Sequence, residues 1–307
     1  MGCCGSKPPI DNPPNVEPKK IVLNKPAKSS DIVSEIENLY DEYQIIKLRR
    51  MGNRGPLTEA KGSKDEKVII KSIPLKFYED VDRSLANLRT VYTSNNDNFI
   101  NMIAILKDTE YLHFVMEEMD TGDLFSFVSR KEKLAEKLVA FLGTKMLDAL
   151  EFLHEREIEH GSLKPSSFVF DGTSRMKMIY YGANTNINDL EYYAPASANE
   201  NTEIYLAPEN FTGETTTKSD LWNFGLILNR LLTGSAVFPG ETYGEVFDTI
   251  RGNEREMSKD ISRYGADLID SLLDQTPSKR PNIKVLRDHQ FFSERTDEGK
   301  DCSQAIN

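Results

Sequence analysis

The side chains with the types and spacing for chemistry fall in three short stretches of this 307-residue chain. His160-Gly161-Ser162-Leu163-Lys164-Pro165-Ser166-Ser167 offers an imidazole, an ammonium and several hydroxyls, but no carboxylate. Ser162 cannot accept a proton near neutrality as a carboxylate can, so it makes no general base. In Lys177-Met178-Ile179-Tyr180-Tyr181-Gly182 the polar groups are phenols. A phenol with a pKa of about 10 is neutral at pH 7 and binds hard cations poorly. The third stretch, Met1-Gly2-Cys3-Cys4-Gly5-Ser6, fits the N-myristoylation pattern at Gly2. Cys3 and Cys4 stand beside it as acceptors for palmitate. One myristoyl chain holds a membrane only marginally, and a second acyl chain makes the anchor stable. The plainer reading is a chain end whose Gly and Cys are accidental.

Other chemistries find little support. The four histidines, His113, His154, His160 and His289, show no H-E-x-x-H spacing, and there is no G-x-S-x-G. The three cysteines, Cys3, Cys4 and Cys302, lie at the chain ends, which argues against a disulfide framework or a zinc site. A net charge of -11 speaks against a nucleic-acid partner. No apolar run is long enough to span a membrane, and no apolar h-region follows the start.

Three regions must position these groups. Residues 1–36 form an extended, disordered tether holding six of the fourteen prolines. Its first thirty residues carry five lysines against Asp11 and Glu17, a local +3 suited to anionic lipid. Residues 37–293 read as one domain, and 294–307 as a loose polar tail. Within the domain, strands are expected over Tyr43–Leu48, Lys67–Ile73, Ile100–Leu106 and Tyr111–Glu117. One helix is expected over Asp80–Tyr92. Helices then dominate: Glu132–Glu155 carries a broad apolar stripe, and Lys218–Leu232 and Ile261–Leu273 behave similarly.

Over about residues 40–293 the chain resembles the eukaryotic protein kinase superfamily. His160-Gly161-Ser162-Leu163-Lys164-Pro165-Ser166-Ser167 is similar to the catalytic loop H-R-D-L-K-x-x-N. Leu206-Ala207-Pro208-Glu209 resembles A-P-E, Ser278-Lys279-Arg280-Pro281 supplies the Arg that pairs with that Glu, and Ser219–Gly225 resembles D-x-W-S-x-G around Asp220. The H-G-x-L-K-x-S form of the loop also resembles, locally, the kinase-homology region of receptor guanylyl cyclases. The resemblance implies an α+β, bilobal kinase fold, with a small β-rich lobe holding one helix and a larger helical lobe. His160, Met102, Val91 and Tyr181 match the hydrophobic spine, and Met116 the gatekeeper.

The same resemblance marks what has been replaced. Ser162 stands at the catalytic-base Asp, Ser167 at the metal-binding Asn and Tyr180 at the metal-binding Asp. The glycine-rich loop would be Leu48–Pro56, with the wrong glycine spacing. Lys71 matches the phosphate-pairing lysine, while its helix partner falls on Asn87; a solvated strand-end lysine is the competing reading. Ile69 would crowd the adenine site. The expectation is a catalytically inactive pseudokinase acting as a signalling scaffold or allosteric partner on the cytoplasmic face of a membrane, most simply the plasma membrane. No cofactor and no magnesium are expected, with Lys71 a vestigial ATP contact at most. Two alternatives are a divergent Ser/Thr kinase and a nucleotide-binding switch without phosphoryl transfer.

Overall fold

A computed structural model describes residues 31–293, apart from 53, 120, 132, 171–174, 185–204, 241 and 256–259. The lipidation residues Gly2, Cys3 and Cys4 and the tail thiol Cys302 lie outside the described residues. The fold has two lobes, as the resemblance implied.

The small lobe is a six-stranded sheet built from β1 (Val33–Glu35), β2 (Gln44–Gly52), β3 (Gly55–Lys61), β4 (Lys67–Pro74), β5 (Met102–Lys107) and β6 (Tyr111–Met116). The spatial order is β1-β5-β6-β4-β3-β2, antiparallel except for the parallel pair β1–β5. β4 is rich in β-branched residues and apolar on both faces, so both of its faces need cover. One face packs on α2 (Val81–Tyr92), whose Leu85, Leu88 and Val91 are buried. Asp80 caps this helix by accepting from the Arg83 amide at 2.9 Å. The other face, with Val68, Ile70 and Val115, is covered by Leu39 and Tyr43, the first residue and the C-cap of the short helix α1 (Leu39–Glu42).

Here the structure corrects the expected boundary of the tether at residue 36. Ile32 and Ile36 bond β5 at either end of β1: the Ile105 amide donates to Ile32 O and the Ile36 amide to Lys107 O, both at 2.9 Å. Ordered chain therefore begins before residue 36. The reason is the exposed edge of β5, which an added strand satisfies. Three residues carry no readable periodicity; β3, seven residues long, begins in the last two residues of the presumed glycine loop.

The large lobe comprises α3 (Leu124–Lys131), α4 (Glu136–His154), the two-stranded ribbon of β7 (Phe168–Phe170) and β8 (Met176–Met178), α5 (Thr217–Thr233), α6 (Tyr243–Gly252), α7 (Arg263–Leu272), α8 (Ile283–Arg287) and α9 (Gln290–Ser293). α5 is buried nearly all round, including Asp220, Trp222 and Phe224, and forms the centre of the lobe. Thr216 caps its start and Gly234, at φ 72°, its end. Gly225 lets α7 approach, since a Cβ there would meet Leu272 Cβ at 2.9 Å. No described helix is long and apolar enough to cross a membrane.

Candidate functional site

The cleft between the lobes is built on a rigid floor. Asp220, fully buried, accepts from the amides of His160 at 2.8 Å and Gly161 at 3.0 Å, and pairs with His154 Nε2 at 2.9 Å. One carboxylate on α5 thus fixes the loop that starts at His160. His160 is buried, and burial pushes its pKa below the usual imidazole value. Its Nε2 lies 3.0 Å from Ile179 O, so the neutral ring carries its proton there. Gly161 has φ +72°, and a Cβ on it would meet Asn184 Oδ1 at 1.9 Å. The glycine is therefore needed for the loop to touch the segment beyond Tyr180.

On this floor the three replaced positions are engaged in packing. Ser167 is buried, and its Oγ accepts from the Lys164 amide at 3.3 Å. Ser162 donates its amide to His160 Nδ1 at 3.4 Å. Tyr180, 2% exposed, lies edge-on to His160 with ring centroids 5.8 Å apart. Its hydroxyl hydrogen-bonds the Asn87 side chain, and burial pushes its pKa far above that of a free phenol. The two positions where a metal-binding Asp and a lysine-pairing Glu were expected thus meet each other as phenol and amide.

The backbone of the segment that follows β8, residues 180–184, is tied to the small lobe. Tyr180 O accepts from Tyr92 Oη at 2.6 Å, Tyr181 O from Tyr78 Oη at 3.1 Å, and Gly182 O from Ser84 Oγ at 2.9 Å. Ala183 O and Asn184 O then accept from the two terminal nitrogens of Arg54, at 2.9 and 2.8 Å. Five successive carbonyls are held by small-lobe side chains. Tyr181 packs edge-on against Phe114 at 4.9 Å, and its hydroxyl reaches Met116 Sδ at 3.9 Å, so the expected gatekeeper touches this residue.

Arg54 reaches the cleft from the β2–β3 hairpin. Gly52 pairs with Gly55, which closes the hairpin tightly where a glycine-rich loop was sought. Gly55 has φ +90°, and a Cβ there would strike Ser72 O at 2.4 Å. Lys71 on β4 donates to Gly55 O, so the hairpin and not a helix carboxylate partners it. Burial, then the cations Lys164, Arg54 and Arg50, lower its pKa to about 7. At the hinge end Arg49 joins Glu59 at 2.9 Å and also bonds Glu118. Ile69 is buried and pairs across β4–β6 with Met116, at the back of the expected adenine site.

The lowered lysine pKa has a measurable consequence. An amine-reactive isothiocyanate, with labelling read by mass spectrometry, should modify Lys71 with a midpoint near pH 7, and surface lysines only near their ordinary value of about 10. A folded pKa below the unfolded value means the unfolded chain binds more protons in this window. This group therefore makes the fold more stable as pH rises above about 7. Labelling of Lys71 with the surface set would contradict the described burial.

Away from the cleft, Arg280 has a fully buried side chain and grips Glu209 with both terminal nitrogens, at 2.6 and 2.8 Å. It also donates to Lys218 O at 2.8 Å and Asp274 O at 2.9 Å. These are the contacts expected for an A-P-E glutamate and its arginine.

A protein kinase domain family model matches residues 27–292, most of the chain. The chain belongs to the protein kinase family. Curated relatives include 3-phosphoinositide-dependent protein kinase B of Dictyostelium discoideum, 27% identical over 232 residues, covering 75% of this chain and 25% of that protein. Serine/threonine-protein kinase PDK1 of Cryptococcus neoformans is 29% identical over 198 residues, 63% of this chain and 16% of that protein. Protein kinase C-like 1 of Caenorhabditis elegans is 27% identical over 263 residues, 81% and 37%. This kinase domain spans a quarter or less of the first two relatives.

Kinases neutralise the transferred phosphate with metal ions, so the fit of a divalent cation is the decisive question. It fails here: the two metal-ligand positions hold Ser167 and a shielded Tyr180, neither of them a carboxylate. Among the described residues no group of three acidic, histidine or cysteine side chains could hold a metal. Sequence reasoning found these losses but missed Arg54, Arg49 and the hydroxyls of Tyr78, Ser84 and Tyr92. The one available signal was an arginine between the two glycines of the broken loop.

Proposed function

We propose that this protein is a membrane-tethered pseudokinase, a kinase homologue that signals by binding a protein partner and not by transferring phosphate. The observation that carries this reading is the row of carbonyls from Tyr180 to Asn184 held by Tyr92, Tyr78, Ser84 and Arg54. In a working kinase this segment must present a carboxylate to metal. Here the Tyr180 side chain is buried beside Asn87, and the backbone carbonyls that follow are held by small-lobe side chains. Loss of the charges that stabilise phosphoryl transfer removes most of the rate enhancement. The tether rests on the Met1–Ser6 pattern and the local +3 charge, and places the domain on the cytoplasmic face of a membrane.

Lys71 and the serine/threonine kinase names of relatives favour a second reading, a divergent kinase. Purified full-length protein incubated with radiolabelled ATP, magnesium and a generic basic substrate separates the two. The expected result is no incorporation above an Lys71→Ala control; incorporation that this control abolishes would establish the divergent kinase. For the tether, Gly2→Ala should move the protein from the membrane fraction to the soluble fraction of lysed cells. Unchanged fractionation removes the anchor from the proposal.

A further inference from the structure

β2 closes one edge of the small-lobe sheet, with β3 as its neighbour in the strand order. Edge strands are usually kept polar, because an apolar one invites association. This one is not. Among the described residues six large apolar side chains are exposed, and three of them lie on β2: Ile46 at 43%, Leu48 at 53% and Met51 at 64%. The same edge carries cations. Seven lie between Lys47 and Lys67, against Glu59, Asp65 and Glu66. Glu59 takes Lys47 at 3.3 Å and Arg49 at 2.9 Å, and Asp65 takes Lys61 at 2.6 Å. The Lys47 side chain stays 61% exposed within its pair, and Lys64 and Lys67 are exposed around the start of β4. This stretch is therefore positive in a chain whose net charge is -11, and it shares that sign with the first thirty residues.

Apolar side chains set among cations on an exposed surface suit an anionic bilayer, where the rings and methyls enter the headgroup boundary and the cations meet the lipid charge. Lysine stems lie along that boundary with the ammonium in the polar layer. A second copy of the chain suits the edge poorly, since pairing β2 with β2 sets like charges opposite one another. The strand is also irregular between Ile45 and Lys47 and between Leu48 and Arg50, and such breaks blunt an edge against strand addition. Tyr40 is 71% exposed but is followed by Asp41 and Glu42, which an anionic surface repels, so it lies outside the face. Reach is no obstacle. β1 and β2 lie at opposite edges of the sheet, about 24 Å apart at five strand spacings. The chain between Cys4 and Asp31 can extend on the order of 90 Å.

We propose that the β2 edge is a membrane contact of its own, with Ile46, Leu48 and Met51 entering the headgroup region of an anionic bilayer and Lys47, Lys64 and Lys67 meeting its negative lipids. The proposal rests on the membrane-tethered reading and adds an orientation to it. One myristoyl chain holds a membrane marginally, and a cationic patch is one of the second signals that make the hold stable. An anchor alone leaves the domain free to turn on its tether; a contact through β2 lays the small lobe on the bilayer and fixes which surfaces a protein partner can meet.

The test uses the full chain made without acylation and floated with vesicles of phosphatidylcholine holding about one third phosphatidylserine, or of phosphatidylcholine alone. Binding to the anionic vesicles is expected, weakening as salt is raised, with none to the neutral ones. Leu48→Glu with Met51→Glu should weaken binding about tenfold, and Lys64→Glu with Lys67→Glu by a similar factor. All four side chains are exposed, so both double variants should keep the parent's Tm. Val285→Glu, a like change at an exposed residue of α8, should leave binding unchanged. No binding to the anionic vesicles, or a loss matched by Val285→Glu, would overturn the proposal. So would either double variant binding like the parent, which leaves the contact to the leading lysines, or a dimer in solution that Leu48→Glu disperses. The Gly2→Ala fractionation reads the acyl anchor alone, so its failure would remove the tether and leave these vesicle outcomes standing.

Discussion

Arg280→Ala is expected to destabilise the protein by about 3–5 kcal/mol, the usual consequence of leaving one member of a buried ion pair alone. For a domain of this size that corresponds to a fall in Tm on the order of 10 °C. The guanidinium is fully shielded and satisfies Glu209, Lys218 O and Asp274 O together, and it stacks over Trp222 at 5.0 Å. Removing it strands the Glu209 carboxylate, which keeps only the Ser219 hydroxyl at 2.8 Å. Arg280→Lys should recover little, since an ammonium cannot form the two parallel bonds of the fork. The double change Arg280→Met with Glu209→Leu should be far milder than either single change, because no charge is then left unpaired. Chemical denaturation of the four proteins checks this, and an additive double change would show that the pair is not coupled.

Restoring the lost letters should not restore the reaction. A variant carrying Ser162→Asp, Ser167→Asn and Tyr180→Asp is expected to show no phosphate incorporation and a Tm lower by on the order of 10 °C, most of it from Tyr180→Asp. Truncating a buried aromatic costs about 3–5 kcal/mol through lost burial and the cavity left behind. The new carboxylate would sit among the buried groups around Tyr180, beside Asn87 and the His160 ring. An uncompensated charge there adds to the loss. Tyr180→Phe isolates the hydroxyl: it removes one hydrogen bond to Asn87 and should cost only about 1 kcal/mol. A triple variant as stable as the parent, or one that transfers phosphate, would mean that the segment after Ile179 rearranges readily.

Much of this was legible in the sequence, for reasons that differ by residue. Asp220, Glu209 and Arg280 stand in short motifs that resemble those of the family, and the resemblance implied their contacts before the fold was seen. α2 and α4 declared themselves by long apolar stripes, and β4 by its β-branched run. Asn87 was found by counting, and its true partner, Tyr180, was not, because the two lie on different elements and are joined only by the fold. Arg54 was hidden more deeply. It lies in a hairpin whose glycines looked like a damaged loop, and nothing in a linear string says which carbonyls an arginine will cross a cleft to meet. β1 and α1 escaped because three or four residues cannot display a period.

The short strand β1 has a mechanical consequence. A pull applied at Asp31 enters the described fold through this strand. Such a pull along β1 would load its bonds to β5 in shear, together with the pairing of Asp31 to Arg89 Nε at 2.9 Å. Arg89 belongs to α2, the same rod that carries Ser84, Asn87 and Tyr92 against the segment at Tyr180. Tension on β1 therefore has a continuous load path, through one helix, to the fastening of the cleft.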